Sequence, residues 1–479
     1  MRATKDPMPR NSATTQPLSM RTRLSMQALR DRYRCPPEFI DFRLGGQLSQ
    51  DAGYFQFGPD ATCYGRTCTD LHWAQATFPL VDALPAVSAD GTAITLPFDP
   101  DEMIDNLRLE RFPEAQWSQR EKGMKSIYYR LRPFTNRLLR KSVQKMRAAN
   151  GKNRQFPKWP VDTTVEDILE RLMLLCLRAH RVDRIPFIWF WPDGARACLT
   201  MTHDVETPAG RDFCAQLLDI DDSFGIKASY QVVPDGRYAV PPDFLGKLRA
   251  RGCEVCIQDL NHDGRLFDDH NEFLRRAALI NRYAWEFGAH GFRSAVLYRN
   301  PEWFQALDFC FDMSIPNVAH LDPQRGGCCT VMPYFIGKLL EIPLTTIQDY
   351  SLFHVLGDLS LGLWRSQVET ILAKHGMASF IVHPDYIAEP KTQTVYKRLL
   401  ALLSQLRRQN AIWTALPCEI DQWWRARSRM SIVEDNGSWR IVGEGAERAV
   451  LAFATEVDGR LICTPANAPQ IEPLFCQSA

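Results

Sequence analysis

Between about residue 195 and residue 415, short runs rich in β-branched and apolar residues alternate with longer amphipathic stretches. This alternation limits the possible folds more than any other feature of the chain. "RACLTMT" reads as a strand and "GRDFCAQLLDIDDSFG" as a helix ended by Gly225. "KASYQVV" is a second strand, and "PPDFLGKLRARG" a helix with proline at its start and glycine at its end. "CEVCI" and the long helix "DDHNEFLRRAALINRYAWEFG" follow. Short strands are expected near Gly291, Phe309 and Leu340. Then come a helix at "WRSQVETILAKHG", a strand at "MASFIV", a helix at "TQTVYKRLLALLSQLRRQN" and a strand at "AIWTA". Seven or eight such repeats predict a parallel sheet wound with helices, and the count favours a barrel over an open sheet.

The chain of 479 residues is too long for one ordinary core. We divide it into a disordered tail (1–18), an N-terminal extension (19–190), the barrel (191–427) and a small antiparallel β module with its tail (428–479). Within the extension, 19–34 reads as a short basic helix. The stretch 36–115 has few clear periods beyond a strand at "DGTAITLPFD". Residues 119–155 hold twelve Lys or Arg against one acid, Glu121. That composition suits a solvated basic helix, or a peripheral contact with anionic lipid or a lipid-linked glycan. No nucleic-acid module surrounds it, so nucleic acid is not an expected partner. "TTVEDILERLMLLCLRAH" (163–180) reads as an amphipathic helix with acids in its first turns. After residue 428, alternation around Asn-Gly and Asp-Gly predicts hairpins.

The net charge of +1 says nothing about an acidic partner, so local charge matters more. The opening residues lack an apolar signal segment, and "IPFIWFWP" is too short to cross a bilayer. A cytoplasmic protein is expected, with a peripheral place at the inner membrane face as the variant that 119–155 suggests. In that setting most of the fourteen cysteines read as buried thiols, and the spacing of Cys253 and Cys256 on a strand turns that pair to opposite faces.

Reactive groups of a parallel barrel gather at the C-terminal ends of its strands. The strand ends here offer His203, Asp204 and Glu206; Gln258, Asp259 and His262; Arg293; Asp312; and His383 with Asp385. Alternation puts Thr202, Asp204 and Glu206 on one face and His203 and Val205 on the other. Two carboxylates then share one space, where one can hold a metal while the other serves as a general base. The same residues also suit a loop leading into a helix that starts at Thr207 and Pro208.

"MTHDVE", "QDLNHDGRLF", "GFRSAVLYR", "FDMSIPN" and "IVHPDY" resemble, in order and spacing, the segments of the polysaccharide deacetylase (NodB-homology, carbohydrate esterase) family. "WPDGARACLTMTHDVE" with "HDGRLF" resembles a branch associated with bacterial surface-polysaccharide synthesis. The resemblance covers roughly 195–415. It implies a distorted (β/α)7-type barrel and a hydrolase that removes an acetyl group, N-acetyl before O-acetyl, from a sugar of a bacterial polysaccharide or its precursor. It implies catalytic roles for Asp204 (base), Arg293 (orienting the base), Asp312 (tuning the acid) and His383 (acid). It implies a divalent metal, zinc first, held by Glu206, Gln258 and His262. Glu206 departs mildly from the usual aspartate. Gln258 departs more, standing where the family has a ligand histidine and offering a neutral amide oxygen in place of an imidazole. Three outcomes stay open. The metal is held by Glu206, His262 and Gln258 or a water; Asp259 takes the missing place; or the barrel binds a glycan without hydrolysing it.

Overall fold

The computed structural model describes residues 22–68, 79–115, 155–409 and 411–466. The predicted tail 1–18 and nearly all of the basic stretch 119–155 lie outside the described residues.

The barrel is built on Ala197–Val205 (β1), nine residues long and buried throughout. It runs past the predicted strand as far as Val205. Ala228–Val232 (β2), Glu254–Gln258 (β3), Gly291–Arg293 (β4) and Phe311–Asp312 (β5) follow. Next come Tyr334–Ile336 (β6), Leu339–Glu341 (β7), Met377–Val382 (β8) and Ile412–Thr414 (β9). The sheet order is β6-β7-β5-β4-β3-β2-β1-β8, with β9 also on β1. All pairings are parallel except β6 with β7. β1 is long enough to serve three neighbours. Its first residues pair with β9 and its last with β2 along one edge, while β8 takes the other. The sheet thus curls into a distorted parallel barrel.

On the open side of the sheet, the segment after β7 is tied to β8 by one backbone bond, Thr346 N to the Ser379 carbonyl at 3.3 Å, and by side chains. Thr345 Oγ1 donates to the Met377 carbonyl at 2.6 Å and accepts from Ser379 N at 2.9 Å, while Thr346 Oγ1 donates to the Ser379 carbonyl at 2.7 Å. At β4 the strands approach so closely that a Cβ on Gly291 would lie 2.0 Å from the Phe311 ring and 2.8 Å from Cys256 Sγ.

The outer helices are Pro208–Ser223 (α1), Pro242–Ala250 (α2), His270–Phe287 (α3), Gly362–Ala373 (α4), Pro390–Arg408 (α5) and Pro417–Arg429 (α6). α1 starts where the sequence suggested, with Thr207 Oγ1 accepting from Gly210 N at 3.0 Å. Trp423 and Trp424 of α6 are buried, and Trp423 Nε1 donates to the Phe190 carbonyl at 2.9 Å.

The extension is more ordered than its sequence suggested. The strands Phe42–Leu44, Ser88–Asp90 and Ala93–Leu96 form one sheet, Gly53–Gln56 and Thr62–Gly65 a hairpin, and Pro100–Arg108 a helix. The predicted amphipathic helix is Thr164–His180. Beyond α6, Ser431–Asp435 pairs with Ser438–Val442 and Leu451–Val457 with Arg460–Pro465. Both turns use left-handed X-Gly pairs: Asn436 (φ 51°) with Gly437 (77°), and Asp458 (50°) with Gly459 (74°). The second hairpin does not stand alone. Leu451–Val457 pairs antiparallel with Arg184–Ile188, at the end of the extension. Among the described residues every cysteine is a free thiol, and no helix is long and apolar enough to cross a membrane.

Candidate active site

The alternation along β1 sorts its polar residues as predicted. His203 faces outward, its Nε2 2.8 Å from Asp221 of α1, and packs against Tyr230 and Tyr396. Thr202 and Asp204 face inward. Arg293, at the end of β4, reaches both: its Nη1 donates to Asp204 Oδ1 at 2.5 Å and to Thr202 Oγ1 at 2.8 Å. Its Nε donates to the Met313 carbonyl at 3.1 Å, so the buried guanidinium has little freedom. Glu206 lies just past the end of β1. Its side chain keeps 21% of its surface open, whereas that of Asp204 keeps 4%. Solvent therefore reaches the site at Glu206.

Three further groups converge on Glu206 Oε1. Gln258, the last residue of β3, donates from Nε2 to Asp204 Oδ2 and to Glu206 Oε1, at 3.0 Å each. His262 Nε2 stands 2.7 Å from Glu206 Oε1. Its side chain is turned back by a loop with left-handed backbone at Asp259 (φ 53°) and at His262 itself (55°). Such backbone costs of order 1–3 kcal/mol per residue and persists only where its surroundings hold it. Here Asp259 N donates to the Arg293 carbonyl at 2.8 Å, and Arg237 Nη2 donates to the His262 carbonyl at 2.6 Å. The third group is His383, immediately after β8, with Nε2 3.4 Å from Glu206 Oε1. Asp349 holds it twice: Oδ1 lies 2.7 Å from Nδ1, and Oδ2 accepts from the His383 backbone N at 2.7 Å. An ionised carboxylate only accepts, so Nδ1 carries the proton toward Asp349 and Nε2 faces the site.

The charges are strongly coupled. Burial opposes ionisation of Glu206, yet His262 and His383 hold its carboxyl well below the usual range. Burial likewise opposes charge on His383, but Asp349 and then Glu206 hold the imidazole well above its ordinary value. The half-buried rings of Tyr350 and Tyr386 lie beside it, with Tyr386 4.9 Å from the imidazole and 5.7 Å from Tyr350, centroid to centroid.

A group able to hold a cation exists: donor atoms of Asp204, Glu206 and His383 all lie within 4.8 Å of one another. The set implied by the family resemblance is Glu206, Gln258 and His262, and it does not fit a divalent ion. Gln258 turns its NH₂, not its oxygen, toward the two carboxylates, and Oε1 is buried with no partner. Arg237 Nη2 lies 3.2 Å from His262 Nδ1. A guanidinium only donates, so its approach to Nδ1 favours a ring hydrogen on Nε2, which lies 2.7 Å from Glu206 Oε1 but makes no well-directed hydrogen bond. A metal-ligating histidine has the opposite arrangement, with Nε2 bare and Nδ1–H donating outward. The set with His383 has a suitable imidazole, but its two carboxylate oxygens facing Gln258 already accept from that amide.

Six of the seven sequence-derived site residues thus meet in one cluster: Asp204, Glu206, Gln258, His262, Arg293 and His383. Asp312 does not join them as a partner of the acid. Its carboxyl accepts from Ser314 N at 2.8 Å and Ser314 Oγ at 2.9 Å and lies in register with Glu341. The carboxylate that acts on His383 is Asp349. It escaped notice because it lies eight residues beyond the end of β7, where the strand-end rule does not look. Arg237 was within reach of that rule, five residues past β2, whose end went unread. Asp259 does not substitute for a ligand: its Oδ1 accepts from Leu260 N at 2.6 Å, and it lies outside the cation-capable group.

No family model and no curated protein matches the chain. Solved structures similar to it include a Mycobacterium smegmatis protein assigned as a polysaccharide deacetylase (16% identity, 52% of this chain and 98% of that one, TM-score 0.42). A Pseudomonas aeruginosa PAO1 protein assigned the same way is also similar (14%, 49% and 93%, 0.39). So is Puue allantoinase (14%, 49% and 92%, 0.39). Likeness at this distance leaves the chemistry to the side chains themselves.

Proposed function

We propose that this chain is a deacetylase: a hydrolase that removes an acetyl group, N-linked above all, from a sugar of a bacterial polysaccharide or its precursor. The observation that carries this reading is the meeting of Asp204–Arg293, Glu206 and His383–Asp349 at the C-terminal end of one curled sheet. Hydrolysis of an amide needs a proton taken from water and a proton given to the departing nitrogen. Asp204, fixed by Arg293, is the candidate acceptor. His383, fixed by Asp349 and held protonated, is the candidate donor, because its Nε2 faces the opening at Glu206. Tyr350 and Tyr386 offer an aromatic wall of the kind on which sugar rings pack. The proposal extends to place: a cytoplasmic site of action before export, with 119–155 meeting anionic lipid or a lipid-linked glycan.

The test is acetate release from N-acetylated oligosaccharides and from precursor glycans. Asp204→Asn and His383→Asn should each lower kcat roughly 10²–10⁴-fold, the usual range for loss of a proton-transfer group. A second reading, glycan binding without turnover, is favoured by the Gln258 amide lying across both carboxylates. Glycan binding with no acetate released across the panel would establish it instead.

A further inference from the structure

We propose that the side-chain amide of Gln258 is the built-in substitute for a divalent cation at this site, so that the native chain does not take up a metal there. The inference rests on four observations. Gln258 is buried, 1% exposed, and its Nε2 bridges Asp204 Oδ2 and Glu206 Oε1 at 3.0 Å each. An NH₂ with two hydrogens can satisfy two carboxylates at once, which is the bridging task a cation performs. An amide oxygen in that position would face both negative oxygens, so the amide orientation follows from the network.

The second observation is Arg237. Its Nη2 meets both Nδ1 and the carbonyl of His262, at 3.2 and 2.6 Å, and its Nε donates to the Asn261 carbonyl at 3.3 Å. This favours the ring hydrogen of His262 on Nε2, the atom a metal would need bare. Third, three oxygens of the two carboxylates already have donors without an ion: Arg293 Nη1 on Asp204 Oδ1, and Gln258 Nε2 on Asp204 Oδ2 and Glu206 Oε1. An ion entering there would have to displace the Gln258 amide from both. Fourth, the loop bearing His262 has a left-handed backbone at His262, and Arg237 grips its carbonyl. Glutamine and arginine therefore act together: one fills the cation's place and the other fixes the neighbouring imidazole with Nε2 against Glu206 Oε1.

The inference rests on the proposed activity only in its final arm, and its main readout is metal itself. The full-length wild-type protein is stripped with chelator and titrated with Co²⁺, followed by visible absorption, and with Zn²⁺, followed by calorimetry and Tm. The expected result is no stoichiometric uptake and no change in Tm. The double variant Gln258→His with Arg237→Ala should gain one equivalent of bound Co²⁺ and a raised Tm on loading. Stoichiometric Co²⁺ or Zn²⁺ binding by the wild type, lost in Glu206→Gln, would overturn the inference. The expected absence of uptake is read on wild type alone, so a misfolded variant does not remove the test. In the final arm, acetate release by wild type should survive exhaustive chelation. Release that disappears with chelator and returns with metal also overturns the inference. If acetate is absent under every condition while metal is not taken up, the deacetylase reading fails and the substitution stands.

Discussion

Asp349 decides which nitrogen of His383 faces the site and keeps that ring protonated. Asp349→Asn removes the charge that raises His383 above its ordinary value. The proton-donating form should then be lost at lower pH. We expect the alkaline limb of the kcat–pH profile to move toward acid, with kcat at neutral pH lower by roughly 10²-fold or more. An unchanged profile would deny Asp349 its positioning role. A second residue-scale prediction concerns the carboxyl pair behind Arg293. Burial first, then the neighbouring Asp312, holds Glu341 well above the usual carboxylate range. The folded chain therefore keeps a proton that the unfolded chain releases above about pH 4.3. Stability must fall as pH rises from there toward the raised value, by up to about 1.4 kcal/mol per pH unit for one proton. Glu341→Gln, whose amide can donate to Asp312, should flatten that slope. Urea midpoints of both proteins between pH 5 and 8 measure it. The cluster residues on or just past strand ends were legible because a period of two fixes which side chains share a face. Asp349 was not, since a loop residue far from any strand end follows no period and is recruited by distance alone.

At the scale of elements, β1 determines the architecture. Nine buried residues let β9 and β2 share one edge, while β8 pairs along the other as far as Val382 opposite His203, which sets the end of β8 beside the end of β1. His383 and Asp204 meet for that reason. The seam on the other side of β8 depends on the hydroxyls of Thr345 and Thr346 and a single backbone bond, not on a ladder. Thr345→Val keeps the shape but removes one hydroxyl that serves both the Met377 carbonyl and Ser379 N. Each buried group left unpaired costs about 1–3 kcal/mol, so the variant should unfold at clearly lower urea, with activity lost only as folding is lost. The strand-and-helix rhythm of this half was readable, because each element carries its own apolar period. The seam was invisible, because two threonines in a loop look like any turn.

For the whole molecule, the extension is joined to the barrel by buried polar contacts. Glu110 receives Arg299 through Nε at 2.6 Å and Nη2 at 2.5 Å, with both side chains nearly sealed from solvent. Arg427 of α6 donates to the carbonyls of Trp189, Asp31, Arg32 and Ile188 at 2.6–3.0 Å, linking α6 to the helix Gln27–Tyr33 and to the end of the strand Arg184–Ile188. Removing one member of a buried ion pair strands the other's charge, typically at about 3–5 kcal/mol. Glu110→Gln should therefore lower the stability of the barrel and the extension together, in one shared unfolding transition. Separate transitions, with barrel activity intact after the first, would show that the two parts fold independently. The sequence alone determined the parallel barrel, the faces of its strands and the identity of six residues in the cluster, because periodicity and strand-end chemistry are local properties written into neighbouring positions. The tertiary structure alone decided that Asp349, not Asp312, serves His383, that the last hairpin completes a sheet begun by Arg184–Ile188, and that Gln258 turns its NH₂ inward. Each of these depends on distances between segments far apart along the chain, and on which hydrogen-bond donor finds which acceptor once they are packed.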